Sequence, residues 1–324
     1  MKNTKILFLS ILFAVLFFTA CEDDEPSINE SQVLVEYLGE YVNTAPFPAM
    51  ITATDVNSAV LTQSTGMYII DIRDAATYEA GHISGAVNVA FGDLLTHYEE
   101  NALGSKETVA IVCLSGQGAS YGASLLRMLG YTNVKALKWG MSSWNAATST
   151  PWTGNVGNSK AAFMVTEAGT KNEEGSLPEI NTGKSTGETI LRARVEELFA
   201  NGFTPATITK DDAFTNSSTN YTINYWSQAH YEVGHIPGAV QYTPSASLSY
   251  SQELKTVPTD KIVVVYCYTG QTSAFVAAYL KVIGYDAKTL LYGANGMMYD
   301  TMVSEGGMTV FNADTEVHDY TLVQ

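Results

Sequence analysis

The sequence predicts an α/β protein built from two copies of one domain, each a mainly parallel sheet flanked by helices. Internal repetition is the first reason. Tyr78–Val87 (YEAGHISGAV) returns as Tyr231–Val240 (YEVGHIPGAV), 153 residues on. Val109–Gln117 returns as Val263–Gln271 and Leu129–Tyr131 as Ile283–Tyr285, both at an offset of 154, and Gly140 returns as Gly293. The second reason is that Thr108–Cys113 and Ile262–Cys267 are continuous apolar runs rich in β-branched residues. Such runs suit strands buried on both faces of a parallel sheet. The third is that each run passes through a short polar loop into an apolar stripe at helical spacing.

The elements follow in order. Residues 1–20 read as a signal peptide, with Lys2 and Lys5 ahead of an apolar run from Ile6 to Phe18 that is short for a spanning helix. Phe18-Thr19-Ala20-Cys21 resembles a bacterial lipobox, which implies that Cys21 carries lipid and anchors an exported chain to a membrane; a plain secretory signal and an uncleaved anchor are the alternatives. Glu22-Asp23-Asp24-Glu25 reads as a solvated tether, and it also resembles the surface-export signal of some Bacteroidetes lipoproteins. Residues 21–45 thus hold a lipidated acidic tether and a leading helix at Gln32–Tyr41. Domain 1 is placed at 46–150, with strands at Met67–Ile72, Val87–Ala90, Thr108–Cys113 and Val134–Leu137 and a helix at Ala119–Leu129. Residues 151–187, rich in Gly, Asn, Ser, Thr and Pro, read as a linker or extended surface excursion. Domain 2 is placed at 188–305, with a helix at Glu188–Asn201, a buried strand at Ile262–Cys267 and a helix at Ser273–Ile283. Residues 306–324 form a tail of little periodicity.

Composition removes several functions. The 324 residues carry 33 acidic and 17 basic side chains, a net charge of −16, which argues against binding nucleic acid through its phosphates. Three cysteines are too few for a disulfide scaffold, and with no CxxC pair they form no zinc site.

Two of those cysteines end buried strands. Cys113-Leu-Ser-Gly-Gln-Gly and Cys267-Tyr-Thr-Gly-Gln-Thr form loops that open helices. A strand–loop–helix turn aims backbone N–H groups inward, and the helix N-terminus adds positive potential. The sulfur is therefore expected to have a lowered pKa and to be reactive as thiolate. The bland alternative is a small buried hydrophobe at a strand end, less compelling for a loop that occurs twice.

Together with Asp71-x-Arg73, Gly81-His82-Ile83-x-Gly85-Ala86 and Gly140-x-x-x-Trp144, these loops make each copy resemble a rhodanese domain. Copy two carries Gly234-His235-Ile236-Pro237-Gly238-Ala239 and the Cys267 loop. The resemblance covers about residues 55–300 and implies two tandem five-stranded α/β domains. It implies sulfur transfer through a cysteine persulfide at Cys113 and Cys267, with the charge held by Leu114, Ser115, Gly116, Gln117 and Gly118 and by Tyr268, Thr269, Gly270, Gln271 and Thr272. Donors would be thiosulfate, mercaptopyruvate or polysulfide, acceptors a thiol or cyanide, with no cofactor and no metal. Asp71, Arg73, His82 and His235 are expected to be structural, and Tyr68, Trp139 and Tyr266 to be core.

Copy two departs from the pattern: Asn224 and Trp226 replace the Asp-x-Arg pair, and Met297 replaces the closing Trp. Neither loop contains Lys or Arg, with Gly118 and Thr272 where many members carry Arg, so a neutral or organic donor, or a protein persulfide, is favoured over thiosulfate. Three other readings stand beside sulfur transfer: a non-catalytic binding or sulfide-sensing lipoprotein, a Cdc25-like phosphatase lacking its loop Arg, and a Cys113–Cys267 disulfide. The placement follows from the N-terminus: outer membrane, on the periplasmic or cell-surface side.

Overall fold

The computed structural model describes residues 28–44 and 47–324. The signal peptide, Cys21 and the acidic run after it lie outside the described residues. The leading helix is α1 (Glu30–Leu38), starting two residues before its expected position because Asn29 caps it, accepting from the Gln32 amide.

Domain 1 runs β1 (Met50–Ile51), α2 (Ala53–Leu61), β2 (Met67–Asp71), α3 (Ala75–Ala80), β3 (Ala86–Asn88), α4 (Leu94–Glu100), β4 (Thr108–Val112), α5 (Gln117–Met128), β5 (Val134–Leu137), followed by the single turn α6 (Thr150–Thr153). α7 (Gly187–Asn201) leads into domain 2. That domain runs β6 (Thr207–Ile208), α8 (Lys210–Thr215), β7 (Tyr221–Asn224), α9 (Gln228–Val233), β8 (Val240–Gln241), β9 (Val263–Tyr266), α10 (Gln271–Ile283), β10 (Ala287–Leu290) and α11 (Tyr299–Glu305), with α12 (Ala313–Glu316) beyond. The sheets have orders β1-β5-β4-β2-β3 and β6-β10-β9-β7-β8, and every pairing is parallel. The central strands β4 and β9 are buried apart from Thr108 at the start of β4, as covered parallel sheets require. The repetition extends to capping: Thr52 and Thr209 accept from the Asp55 and Asp212 amides, both at 3.1 Å, to start α2 and α8.

Helices α5 and α10 pack against each other at the domain junction, with the Ser124 hydroxyl donating to the Phe275 carbonyl at 3.1 Å. One apolar cluster spans both domains, joining Ile111 and Leu125 to Val265 and Phe275, with Leu34 of α1 and Val195 of α7. The outer faces have their own cores, one around Val112 and Trp144, the other around Tyr266 and Met297.

The segments after each domain are exchanged. Residues 151–187 leave domain 1 and lie on domain 2, where Gly157 N donates to Asn295 O (2.8 Å), Val165 pairs antiparallel with His235, and Gly175 N donates to Lys255 O (2.8 Å). Residues 306–324 leave domain 2 and return to domain 1. There His318 N donates to Ser143 O (3.0 Å), Tyr320 N to Trp144 O (3.1 Å), and Val323 pairs antiparallel with His82.

Candidate active site

Each cysteine follows the last residue of a central strand, and the loop after it reverses at a glycine: Gly116 at φ 83° and Gly270 at φ 76°. These left-handed residues are also the N-caps of α5 and α10, and a glycine has no side chain to cap with. The first-turn amides are thus left free for the sulfur. Cys113 Sγ accepts from Gly116 N (3.1 Å) and Ala119 N (3.4 Å). Cys267 Sγ accepts from Thr269 N (3.4 Å) and Ser273 N (3.3 Å). Both helices start at Gln117 and Gln271, two residues earlier than the apolar stripe suggests, because the glycine turn puts the last loop residues into helical geometry. Ala119 and Ser273 therefore join the sulfur cradle, beyond the expected loop spans. Behind each loop, a Cβ on Gly140 or Gly293 would sit 2.4 or 2.3 Å from the cysteine carbonyl oxygen, so only glycine fits.

The expectation of a lowered thiol pKa is corrected at Cys113. Burial pushes this thiol up, and the amides of Ala119, Ser115, Gly116 and Gly118 offset only part of that. The loop has no cation, and neutral dipoles alone do not outweigh the lost hydration of a thiolate. Both cysteines are free thiols, so the disulfide alternative is not realised.

The copies differ around the sulfur. Cys267 also contacts the Ser273 hydroxyl at 3.5 Å, and this hydroxyl lies 2.7 Å from Thr289 Oγ1, which donates to Gly270 O at 3.2 Å. In copy one, Ala119 and Ala136 replace the two hydroxyls. Leu114 is 46% exposed beside a cavity of about 270 Å³ lined by Arg73, Gly81, Pro151 and Leu322. Its counterpart Tyr268 stacks on Trp226 (5.1 Å, 14°) and bonds His230 through its hydroxyl.

The supporting residues sit behind the loops. Arg73 makes a fork onto Asp71, with Nη2 to Oδ2 at 2.6 Å and Nε to Oδ1 at 2.9 Å, and donates to Gly81 O at 2.9 Å. Both side chains are buried. In copy two, Asn224 donates to the Tyr266 hydroxyl at 2.7 Å. His82 Nδ1 donates to Tyr78 O (3.0 Å) and His235 Nδ1 to Tyr231 O (2.9 Å); each ring stacks on that tyrosine. Trp139 and Tyr266 are buried, and Tyr68 is half-buried with its hydroxyl 3.0 Å from His97 Nε2.

The loops also hold each other. Gln117 Oε1 accepts from Tyr292 N of domain 2 (2.8 Å), and Gln271 Oε1 accepts from Trp139 N of domain 1 (3.0 Å). Gln117 and Gln271 are read from the sequence as part of the anion loops; here their side chains lock the domains. Trp152 Nε1 donates to Ser115 O (2.9 Å) and Asn295 Nδ2 to Tyr268 O (2.7 Å), fixing the loop carbonyls outward. Neither residue carries a motif that would have marked it.

Two doubly wound, all-parallel domains with a cysteine at each central-strand end define a tandem α/β protein of the rhodanese class. The rhodanese-like domain family matches residues 52–147 and 223–314, and the chain belongs to that family. Its relatives include the thiosulfate sulfurtransferase GlpE of Shewanella oneidensis, 33% identical over 95 residues, covering 29% of this chain and 92% of that protein. GlpE of Pseudomonas fluorescens is 33% identical over 98 residues, covering 29% and 84%. Among solved structures, a thiosulfate sulfurtransferase from Pseudomonas aeruginosa aligns with 90% of this chain and 48% of its own length, at 17% identity and a TM-score of 0.30.

Proposed function

We propose that the protein is a sulfurtransferase that carries sulfur as a cysteine persulfide. The observation behind this reading is the pair of cysteine sulfurs, each accepting from one loop amide, Gly116 N or Thr269 N, and from one amide of a helix first turn, Ala119 N or Ser273 N. In the first half-reaction the thiolate attacks the outer sulfur of a donor. With thiosulfate, the S–S bond breaks, its electron pair leaves with sulfite, and the cysteine becomes a persulfide anion. In the second, an acceptor thiolate or cyanide attacks the outer persulfide sulfur, taking it as a persulfide or thiocyanate and restoring the cysteine thiolate. Such covalent catalysis gives ping-pong kinetics. The loop amides stabilise the anion in both states. Mercaptopyruvate and polysulfide are further donors to assay.

A second reading holds for copy one. Burial raises its thiol and so disfavours the attacking thiolate, which supports a domain that binds or senses sulfide without turnover. Incubating the chain with each donor and measuring intact mass separates the readings. Sulfur transfer requires a gain of one sulfur that Cys267→Ser or Cys113→Ser removes; no gain on either cysteine refutes it. Export and lipid attachment at Cys21 are part of the same proposal, and incorporation of labelled fatty acid that persists in Cys21→Ala would refute the attachment site.

A further inference from the structure

Behind each cysteine loop lies a turn entered by a bulky residue in left-handed geometry, Trp139 at φ 65° and Tyr292 at φ 62°. Large side chains seldom adopt this region and keep it only where the surroundings enforce it. One indole meets both rings: Trp152 packs on Trp139 at 4.7 Å and 84° and on Tyr292 at 5.1 Å and 87°. The turns bind the loops from the rear. Met141 N donates to Cys113 O (2.8 Å) and Ser142 N to Leu114 O (3.2 Å), while Ala294 N donates to Cys267 O (3.0 Å) and Asn295 N to Tyr268 O (3.0 Å). The C=O and N–H of one trans peptide point opposite ways. Drawing Tyr268 O backward therefore turns Thr269 N toward the Cys267 sulfur, and the Trp152 indole on Ser115 O does the same for Gly116 N at Cys113.

Each turn is held by the other repeat. The Trp139 amide donates to Gln271 Oε1 at 3.0 Å, and the Tyr292 amide donates to Gln117 Oε1 at 2.8 Å. Both glutamines are buried, as is Trp139. Without the Gln271 oxygen, the Trp139 amide would be a buried donor lacking its acceptor, a cost the turn could shed only by leaving its left-handed geometry. The same oxygen also touches the loop itself: a Cβ on Gly116 would lie 2.6 Å from Gln271 Oε1. Gly116 is the residue whose amide binds Cys113 Sγ. In its own loop Gln271 has a lesser part. Its backbone amide donates to Thr269 Oγ1 at 3.2 Å, and the Cys267 sulfur takes its amides from Thr269 and Ser273 instead.

We infer that Gln117 and Gln271 are positioning residues for sulfur transfer and that each acts on the cysteine of the opposite repeat. Gln271 sets the Cys113 loop by fixing the turn behind it, and Gln117 sets the Cys267 loop in the same way. Neither loop is complete within its own domain. Glutamine is also the one side chain that the loops Leu114–Gly118 and Tyr268–Thr272 have in common. The inference rests on the sulfurtransferase reading for the meaning of the reaction, but its test includes a thiol reaction that needs no natural sulfur donor.

The test uses full-length chains carrying Cys267→Ser, to follow Cys113, or Cys113→Ser, to follow Cys267. Each is treated with methyl methanethiosulfonate and read at the remaining loop cysteine by peptide mass. The cysteine thiolate attacks the sulfenyl sulfur, a disulfide to the methylthio group forms, and methanesulfinate leaves with the electron pair. Misaligning one amide donor to the sulfur anion is worth about tenfold in rate, so Gln271→Met should slow Cys113 by that factor and Cys267 far less. Gln117→Met should show the opposite pattern. Gln271→Glu and Gln117→Glu, which keep an acceptor oxygen, should recover most of the rate at the opposite cysteine. Where a methionine variant does not fold, Gln→Asn, too short to reach the turn, takes its place. Equal slowing of both cysteines, a larger loss at the glutamine's own cysteine, or no slowing overturns the inference. One-sulfur mass gain with polysulfide is followed in the same chains. Uptake without the crossed pattern sinks the positioning role and spares sulfur transfer. The crossed pattern without uptake does the reverse.

Discussion

Replacing Ser273 by alanine should slow sulfur uptake at Cys267 by about tenfold. The hydroxyl is the middle of a chain from Cys267 Sγ (3.5 Å) through Thr289 Oγ1 (2.7 Å) to Gly270 O (3.2 Å). When the cysteine is a thiol, its S–H can point to Ser273 and the hydroxyls can point on toward Gly270 O. When it becomes thiolate or persulfide, Ser273 turns its O–H to the sulfur and Thr289 turns to Ser273. The relay thus gives the anion a donor that the neutral thiol does not need. A hydrogen bond to a charged group is worth about 1.5–3 kcal/mol. The length to sulfur argues for the lower end, and about 1.4 kcal/mol is a factor of ten in rate. Loss is not complete because the Thr269 and Ser273 backbone amides remain. The fold tolerates the change, since Thr289 keeps its bond to Gly270 O. The assay is the rate of one-sulfur mass gain in a Cys113→Ser chain at saturating donor. A rate within twofold of the parent, with Cys267 equally open to alkylation, would refute the reasoning.

Asp71→Asn leaves the Arg73 guanidinium buried with the Gly81 carbonyl and a neutral amide, and should cost about 3–5 kcal/mol in urea unfolding. Adding Arg73→Met should recover much of that; a double variant no more stable than the single contradicts it. Gly270→Ala drives a Cβ to 2.3 Å from Gln117 Oε1 and 2.9 Å from Tyr292 N at φ +76°, so it should lower stability by about 1–3 kcal/mol and loosen the domain contact; an unchanged melting temperature counts against it. Because burial raises the Cys113 thiol, its alkylation rate should keep rising with pH past the ordinary thiol midpoint. The fold favours the protonated form, so its contribution to stability is present below the ordinary thiol pKa and is lost as pH climbs through the raised one. A plateau below the ordinary midpoint would show that the loop amides prevail.

What could be read in advance was whatever one copy encodes within itself. The β-branched runs before Cys113 and Cys267, the glycine turns after them and the His82 and His235 motifs are local patterns, and they found the buried strands, the loops and the doubling. The short edge strands β1 and β6, two residues each, leave too little periodicity to be seen. Other features arise only when distant segments meet. Gln117 and Gln271 read as anion-loop residues until each is seen holding the opposite domain. Burial at Cys113 is likewise a property of the assembled core rather than of the loop. The motif identifies the sulfur's neighbours, but not how much water surrounds them.

The crossed straps set the order in which the protein can be completed. Domain 2 takes its strap from residues already synthesised, so Val165 is waiting when His235 emerges. Domain 1 must wait for residues made after domain 2, since the partner of His82 is Val323. Until those residues emerge, the edge at His82 and the indole of Trp144, which donates to Thr321 O, lack these partners. The first-made domain is therefore the last to be closed, and a ribosome-bound chain stalled anywhere before residue 318 carries an unfinished first half. Cotranslational proteolysis should nick domain 1 in such chains and spare it after release.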